Sequence, residues 1–146
     1  RVLFRSDMEA RAQMMAAACM GATAFQKGLG AVHALSHPVG AVYNTHHGTT
    51  NAVCIPAVLL FNRPEIEDRI NAAAAYMGIK GGFDGFLAFV ENLNAQLGIP
   101  GRLGDMGVGT DRVDELTAMA LEDPSVGGNP VKMTAENTKA LFLECI

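Results

Sequence analysis

Apolar residues recur at intervals of three and four along most of the chain, which is the spacing of one face of an α-helix. Ile66, Ile70, Ala74 and Met77 fall on one such face. Strict alternation of apolar and polar residues with β-branched enrichment, which is typical of strands, is missing from the sequence. The pattern predicts an all-α fold, a multi-helix bundle organised as one domain over residues 1–146. Helices are expected over 7–25, in two short pieces within 28–51, and over 49–61, 65–77, 83–97, 111–121 and 135–143.

Capping residues and prolines indicate where these helices begin and end. Thr134 is expected to cap the last helix, and Thr110 or Asp111 the helix before it. Pro56 predicts a kink, because proline removes a backbone hydrogen bond inside a helix. The Asn-Arg-Pro sequence at 62–64 predicts a break, since its proline suits the first turn of a following helix.

The first predicted helix is unusually rich in alanine and methionine. Its charged residues lie near its start, and the rest is nearly all apolar, so we expect it to lie in the core. The alternative is that its methionines form an exposed face that binds a partner. The four residues that would supply such a face are Met8, Met14, Met15 and Met20.

Composition and charge narrow the class of protein. With 49% hydrophobic and 18% charged residues, the chain is typical of a globular domain. A net charge of -4 without a Lys/Arg cluster argues against a nucleic-acid partner, and no apolar run approaches the length of a membrane span. Cys19, Cys54 and Cys145 are scattered in apolar surroundings, so we expect buried, reduced thiols in a cytoplasmic protein.

All four histidines of the chain fall within Gly28–Asn51. This window mixes helix-forming residues with Pro38, Gly40 and Gly48, which predicts two helical pieces that turn several imidazoles toward one point. His33 and His37 are four residues apart and would share one face of a helix. His46 and His47 follow after the expected break.

Two interpretations of this window follow from the residues themselves. The histidines are either ordinary solvated or hydrogen-bonded side chains, or part of a metal site. A zinc peptidase is poorly supported, because Ala34 stands where the general-base glutamate would follow His33. The window contains no carboxylate, and a catalytic metal needs three or four protein ligands, so the site is incomplete.

A third interpretation rests on resemblance. Residues 28–51, G-L-G-A-V-H-A-L-S-H-P-V-G-A-V-Y-N-T-H-H-G-T-T-N, closely resemble the iron-dependent (group III) alcohol dehydrogenase family. The resemblance continues through L-G-I-P at 97–100 and G-N-P at 128–130. It implies the C-terminal helical fold of dehydroquinate synthase-like and iron-containing alcohol dehydrogenases. It also implies that His33 and His47 bind the metal and that His37 acts in catalysis, while His46 is not a ligand.

The same resemblance implies a function for a longer protein. Members of the family transfer a hydride between a primary alcohol and NAD(P), with Fe²⁺ or Zn²⁺ stabilising the alkoxide. In the family, an Asp ligand, a third His ligand and the N-terminal NAD(P)-binding domain precede the region that this chain resembles. We therefore expect a fragment that is inactive alone and that forms a homo-oligomer or associates through its uncovered surface.

Other functions stay open at this stage. One is a non-catalytic helical module that binds a partner. Another is an enzyme of the same clan, such as a zinc-dependent glycerol dehydrogenase or a dehydroquinate synthase-like lyase. Those relatives match the histidine window less well. The sequence does not indicate which alcohol or aldehyde is used, or which residues contact the nucleotide.

Overall fold

A computed structural model describes residues 6–146 and shows them to be helical, with no strand in that range. This confirms the all-α prediction. Short 3-10 turns precede and follow the fifth helix, at Thr110–Arg112 and Pro124–Gly128, and another lies at Leu103–Met106. The α-helices are α1 (Met8–Phe25), α2 (Ala31–Tyr43), α3 (His47–Tyr76), α4 (Gly82–Gln96), α5 (Val113–Glu122) and α6 (Ala135–Cys145).

Helix α1 has the predicted bounds but not the predicted environment. Asp7 caps it by accepting a hydrogen bond from the Ala10 amide at 2.9 Å. Nevertheless α1 contains no buried residue, so its expected place in the core is wrong. Its sequence specifies the helix, but no described helix packs over it. Its exposed methionines, at 55 to 72%, are Met8, Met14, Met15 and Met20.

Helix α3 is a single helix of 30 residues, about 45 Å long at 1.5 Å per residue. The predicted break at 62–64 is therefore wrong, and both prolines lie inside the helix. Pro56 cannot donate to the carbonyl of Ala52, four residues earlier. The Asn94 side chain of α4 donates to that carbonyl instead, at 2.8 Å. A tertiary contact thus replaces the hydrogen bond that the proline removes.

The histidine window does form two helical pieces, and the break between them lies after Pro38 and Gly40 and before Gly48. Pro38 is buried inside α2, which continues to Tyr43. Asn44 then takes a left-handed conformation at φ 53°, which asparagine tolerates better than most residues. The chain reverses over the next two residues and α3 starts at His47.

The core lies between α2, α3, α5 and α6, with connecting loops closing its ends. Cys54 and Cys145 are free and buried in it, as expected, whereas Cys19 is exposed on α1, so the prediction for that thiol is wrong. The pKa of Cys54 is raised by its contact with Cys145 and by burial. The largest fully buried core side chains are Leu35, Val39, Leu103, Leu116 and Phe142.

The last two helices show how far capping can be read from sequence. Thr134 caps α6 as predicted, accepting from the Asn137 amide at 3.3 Å. Neither Thr110 nor Asp111 caps α5, because both lie in the 3-10 turn that runs into it. Among residues 6–146, no helix is both long and apolar enough to cross a membrane.

Candidate metal centre

Three of the four histidines meet where α2 faces the start of α3. His33 and His37 project from successive turns of α2, and their ring centroids are 5.6 Å apart. His47, the first residue of α3, lies 5.3 Å from the His33 ring and 5.4 Å from the His37 ring. The shared face predicted for the first two histidines is therefore formed, and the chain reversal adds the third.

His46 lies outside this cluster. Its Nδ1 accepts a hydrogen bond from the Thr49 amide at 3.3 Å and lies 3.1 Å from the Thr49 hydroxyl oxygen. The side chain therefore caps the exposed first amides of α3, in the way that asparagine and aspartate usually do. Nδ1 of His46 is therefore occupied by the hydrogen bond from the Thr49 amide.

Asn51 joins the two predicted metal ligands. Its Nδ2 donates to Nε2 of His33 at 3.3 Å and to Nε2 of His47 at 3.1 Å. Each amide hydrogen points to one ring, so Nε2 is the acceptor atom of both rings in this arrangement. Asn51 Oδ1 is buried and has no hydrogen-bond partner among the described residues. Sequence reasoning missed Asn51, although its position one turn after His47 was a usable signal.

Electrostatics favour the neutral form of His33. Burial lowers its pKa first, and the neighbouring His47 and His37 rings lower it further, while Asp123 opposes them. A metal ligand must be a neutral imidazole, since protonation removes the lone pair. The environment of His33 therefore keeps it in the form that binds a cation.

The ring of His37 is held by a carboxylate from a distant loop. Its Nδ1 donates to Asp123 Oδ2 at 2.7 Å, across 86 positions in the sequence. Asp123 Oδ1 accepts from the Ser125 amide at 2.8 Å. Burial alone would raise the pKa of Asp123, but the bonds from Ser125 and His37 outweigh it and the pKa is lowered. Asp123 was not identified from the sequence, in which the histidine window contains no carboxylate.

A pair of asparagines holds that loop against the start of α2. Asn62 and Asn129 exchange reciprocal side-chain hydrogen bonds of 2.9 and 2.8 Å. Asn129 Oδ1 also accepts from the Ala31 amide, one of the first amides of α2, which have no partner within the helix. Gly128 lies so close to the Leu29 carbonyl that any Cβ would collide with it. These contacts set the distance between Asp123 and the histidines.

Helix α1 also reaches the cluster at its last residue. The Phe25 ring lies edge-on to His33, with centroids 5.8 Å apart. His37 and His47 are exposed, and His33 is half-buried, so the cluster opens at the surface of the described part of the chain.

These residues fit a divalent metal in kind. Two imidazoles direct Nε2 toward one place, which the Asn51 nitrogen marks, and imidazole suits both iron and zinc. The orphaned Oδ1 of Asn51 is a further oxygen next to them. Among residues 6–146, no set of three or more His, Cys, Asp or Glu side chains forms a complete metal site. His33 and His47 are therefore candidate ligands, and together they form a candidate two-histidine half-site.

Known proteins match this chain over most of its length. Residues 3–146 match the Fe-containing alcohol dehydrogenase family, C-terminal. The 4-hydroxybutyrate dehydrogenase of Cupriavidus necator is 41% identical over 145 residues, which cover 93% of this chain and 38% of that protein. The lactaldehyde reductase of Escherichia coli strain K12 is 36% identical over 124 residues, or 79% of this chain and 32% of that protein.

The fold agrees with the sequence match. The structure of an alcohol dehydrogenase from Oenococcus oeni matches with a TM-score of 0.75 and 28% identity, over 81% of this chain and 33% of that one. The chain thus spans 32 to 38% of the length of these relatives. It belongs to the iron-containing alcohol dehydrogenase family, and it corresponds to the C-terminal helical part of those enzymes.

Proposed function

We propose that the chain forms the metal-bearing part of an NAD(P)-dependent alcohol dehydrogenase that interconverts a small primary alcohol and its aldehyde. The observation that carries this proposal is the convergence of His33 and His47 Nε2 on one place beside His37. Relatives named for oxidising or reducing 4-hydroxybutyrate, lactaldehyde and butanol support the substrate class.

The residues present have distinct roles in this reaction. His33 and His47 would hold an Fe²⁺ or Zn²⁺ ion through Nε2. When bound, the metal would supply Lewis-acid stabilisation of negative charge on the substrate oxygen, and NAD(P)⁺ would be the hydride acceptor. Oxidation of an alcohol by NAD(P)⁺ gives the aldehyde, NAD(P)H and one proton, and that proton comes from the hydroxyl group. His37 Nε2 accepts it, and returns it when the aldehyde is reduced.

We also propose that groups outside residues 6–146 complete the site. The resemblance places one Asp ligand, one His ligand and the nucleotide-binding domain in the part of the family that precedes this region. Two histidines alone bind a divalent metal weakly, because affinity depends on assembling all of the ligands. The isolated chain should accordingly retain little metal and show no dehydrogenase activity.

A chimera provides the test. This chain replaces the corresponding C-terminal part of the Cupriavidus necator 4-hydroxybutyrate dehydrogenase, to which it is 41% identical. NAD(P)H-dependent reduction of the aldehyde is measured for the chimera and for its His47→Ala and His46→Asn variants. His46→Asn is the matched control, since asparagine preserves the cap on α3 and leaves the cluster intact.

The proposal predicts an active chimera that loses activity and metal with His47→Ala and keeps both with His46→Asn. Equal effects of the two substitutions would contradict it, because they would assign the loss to the helix start and not to the metal. Substantial alcohol oxidation by the isolated chain would contradict the claim that the site is completed from outside.

A further inference from the structure

We propose that Asp123 is the positioning residue of His37, and that it fixes the ring in the tautomer that carries its proton on Nδ1 and its lone pair on Nε2. The orientation of the ring does not depend on the proposed function. Only the source of the proton that Nε2 accepts, the hydroxyl group of an alcohol, rests on it. The contact that carries it is the 2.7 Å bond from His37 Nδ1 to Asp123 Oδ2.

The direction of this hydrogen bond is fixed by the chemistry of the carboxylate. Asp123 Oδ1 already accepts from the Ser125 amide at 2.8 Å, and an ionised carboxylate can only accept. Nδ1 of His37 must therefore be the donor. Among residues 6–146, none makes a hydrogen bond to Nε2 of His37, so this nitrogen is free to meet a substrate.

The carboxylate is held in place by the loop that carries it. The Asp123 side chain is 11% exposed, whereas that of His37 is 41% exposed. Asp123 also caps the 3-10 turn at Pro124–Gly128, and the end of that turn is tied to α2 through Asn129. The partner of His37 is thus better anchored than His37 itself, which is what an orienting group requires.

This arrangement suits a residue that takes up and returns a proton. With Nδ1 protonated, only Nε2 can accept the hydroxyl proton of an alcohol. Once it has done so, the ring is positive, and the adjacent carboxylate stabilises that charge. Asp123 does not touch the substrate, and it acts through His37 alone.

The first test reads the tautomer directly. The imidazole ¹⁵N shifts of His37 are measured on the metal-free chain, at a pH where the ring is neutral, for the wild type and for Asp123→Asn and Glu122→Gln. In Asp123→Asn, the side-chain oxygen must stay with the Ser125 amide, so the new NH₂ group faces Nδ1 and forces the ring proton onto Nε2. Glu122, an exposed neighbour, controls for loss of one negative charge.

The expected result is an Nδ1–H tautomer in the wild type and in Glu122→Gln, and an Nε2–H tautomer in Asp123→Asn. An Nε2–H tautomer in the wild type would overturn the proposal even if the variant did not fold. So would an unchanged tautomer in a folded Asp123→Asn, as judged by circular dichroism. None of these readouts depends on dehydrogenase activity, so they stand apart from failure of the proposed function.

The second test uses turnover in the chimera. Asp123→Asn should lower kcat by roughly 10- to 100-fold, the range typical of losing a partner that orients a functional histidine, with little change in KM. In a His37→Gln background the same substitution should cost nothing further. A full additional loss in that background would show that Asp123 acts through the fold and not through His37, and would overturn the proposal.

Discussion

One neighbouring side chain sets the chemistry of each imidazole in the cluster. Asn51 donates to Nε2 of His33 and of His47 and so leaves both lone pairs pointing to the same place. Asp123 accepts from Nδ1 of His37 and leaves the opposite nitrogen free. The three rings therefore divide into two that can hold a cation and one that can exchange a proton.

At this scale, Asn51→Asp should turn the half-site into a three-donor site. A carboxylate oxygen at the Asn51 nitrogen would lie 3.1 to 3.3 Å from both Nε2 atoms, a spacing that neighbouring ligands of one metal adopt. The affinity of the isolated chain for Zn²⁺ or Co²⁺ should rise by roughly tenfold or more, measured by titration calorimetry. Asn92→Asp, an exposed change of the same kind, should have no effect; equal affinities for the two variants would contradict the geometry.

The lowered pKa of Asp123 predicts a pH-dependent contribution to stability. A carboxyl group whose pKa is lower in the folded than in the unfolded chain stabilises the fold above its ordinary value of 3.8. This contribution falls away as the pH drops below 3.8 and through the lower folded value. Urea unfolding of the wild type and Asp123→Asn should therefore differ at about pH 6, and the difference should shrink below pH 3.8. A difference that grows on acidification would contradict the assignment.

Among the helices, α3 depends on a hydrogen bond from another helix, because the Asn94 side chain of α4 donates to one of its backbone carbonyls. Its apolar spacing predicted a helix on each side of the Asn-Arg-Pro sequence, but the prolines argued for interruption. The carbonyl that Pro56 leaves unpaired is satisfied by Asn94, 42 positions further on from Ala52. The helix, 30 residues long, therefore passes through Pro56 without leaving that carbonyl unpaired.

Asn94→Ala should lower the free energy of unfolding by about 1–3 kcal/mol, because it leaves the carbonyl of Ala52 without a partner. Asn92→Ala, on the exposed side of the same helix, should change it far less. Pro56→Ala should rescue part of the loss, since it restores the backbone donor to Ala52. Chemical denaturation measures all three variants, and equal losses at Asn92 and Asn94 would refute the explanation.

Features whose contacting residues lie close together in the sequence could be predicted, and those whose contacting residues lie far apart could not. Helix periodicity and the Thr134 cap are local, and the sequence predicts them well. The pairing of His33 with His37 is local too. Asp123 meets His37 across 86 positions, so its role could not be read from spacing. Whether a helix is buried depends on which other elements pack over it, and its own sequence does not contain that information. The prediction that α1 lies in the core was wrong for this reason.

Among the described residues, α1 is the helix over which no other helix packs. It buries no side chain, and its exposed methionines form a surface of the kind that proteins usually pack against something. We expect the isolated chain to self-associate through this surface. The helix that carries this surface ends at the histidine cluster, where Phe25 contacts His33.

Size-exclusion chromatography with light scattering tests this expectation. Met15→Lys combined with Met20→Lys should shift the isolated chain toward monomer, because charge at positions 72% exposed blocks apolar contact. Gln13→Lys combined with Gln26→Lys adds the same charge to exposed positions on or next to α1 and should have little effect. A wild-type chain that stays monomeric at high concentration would contradict the expectation.

The position of the metal tests the proposed ligands directly. Anomalous diffraction at the iron or zinc edge, on crystals of the chimera, would locate the cation without reference to activity. We expect a single strong peak about 2.0–2.2 Å from Nε2 of both His33 and His47, with His46 uninvolved. A peak held by other residues, or bound through Nδ1 of either ring, would show that the proposed ligands are wrong.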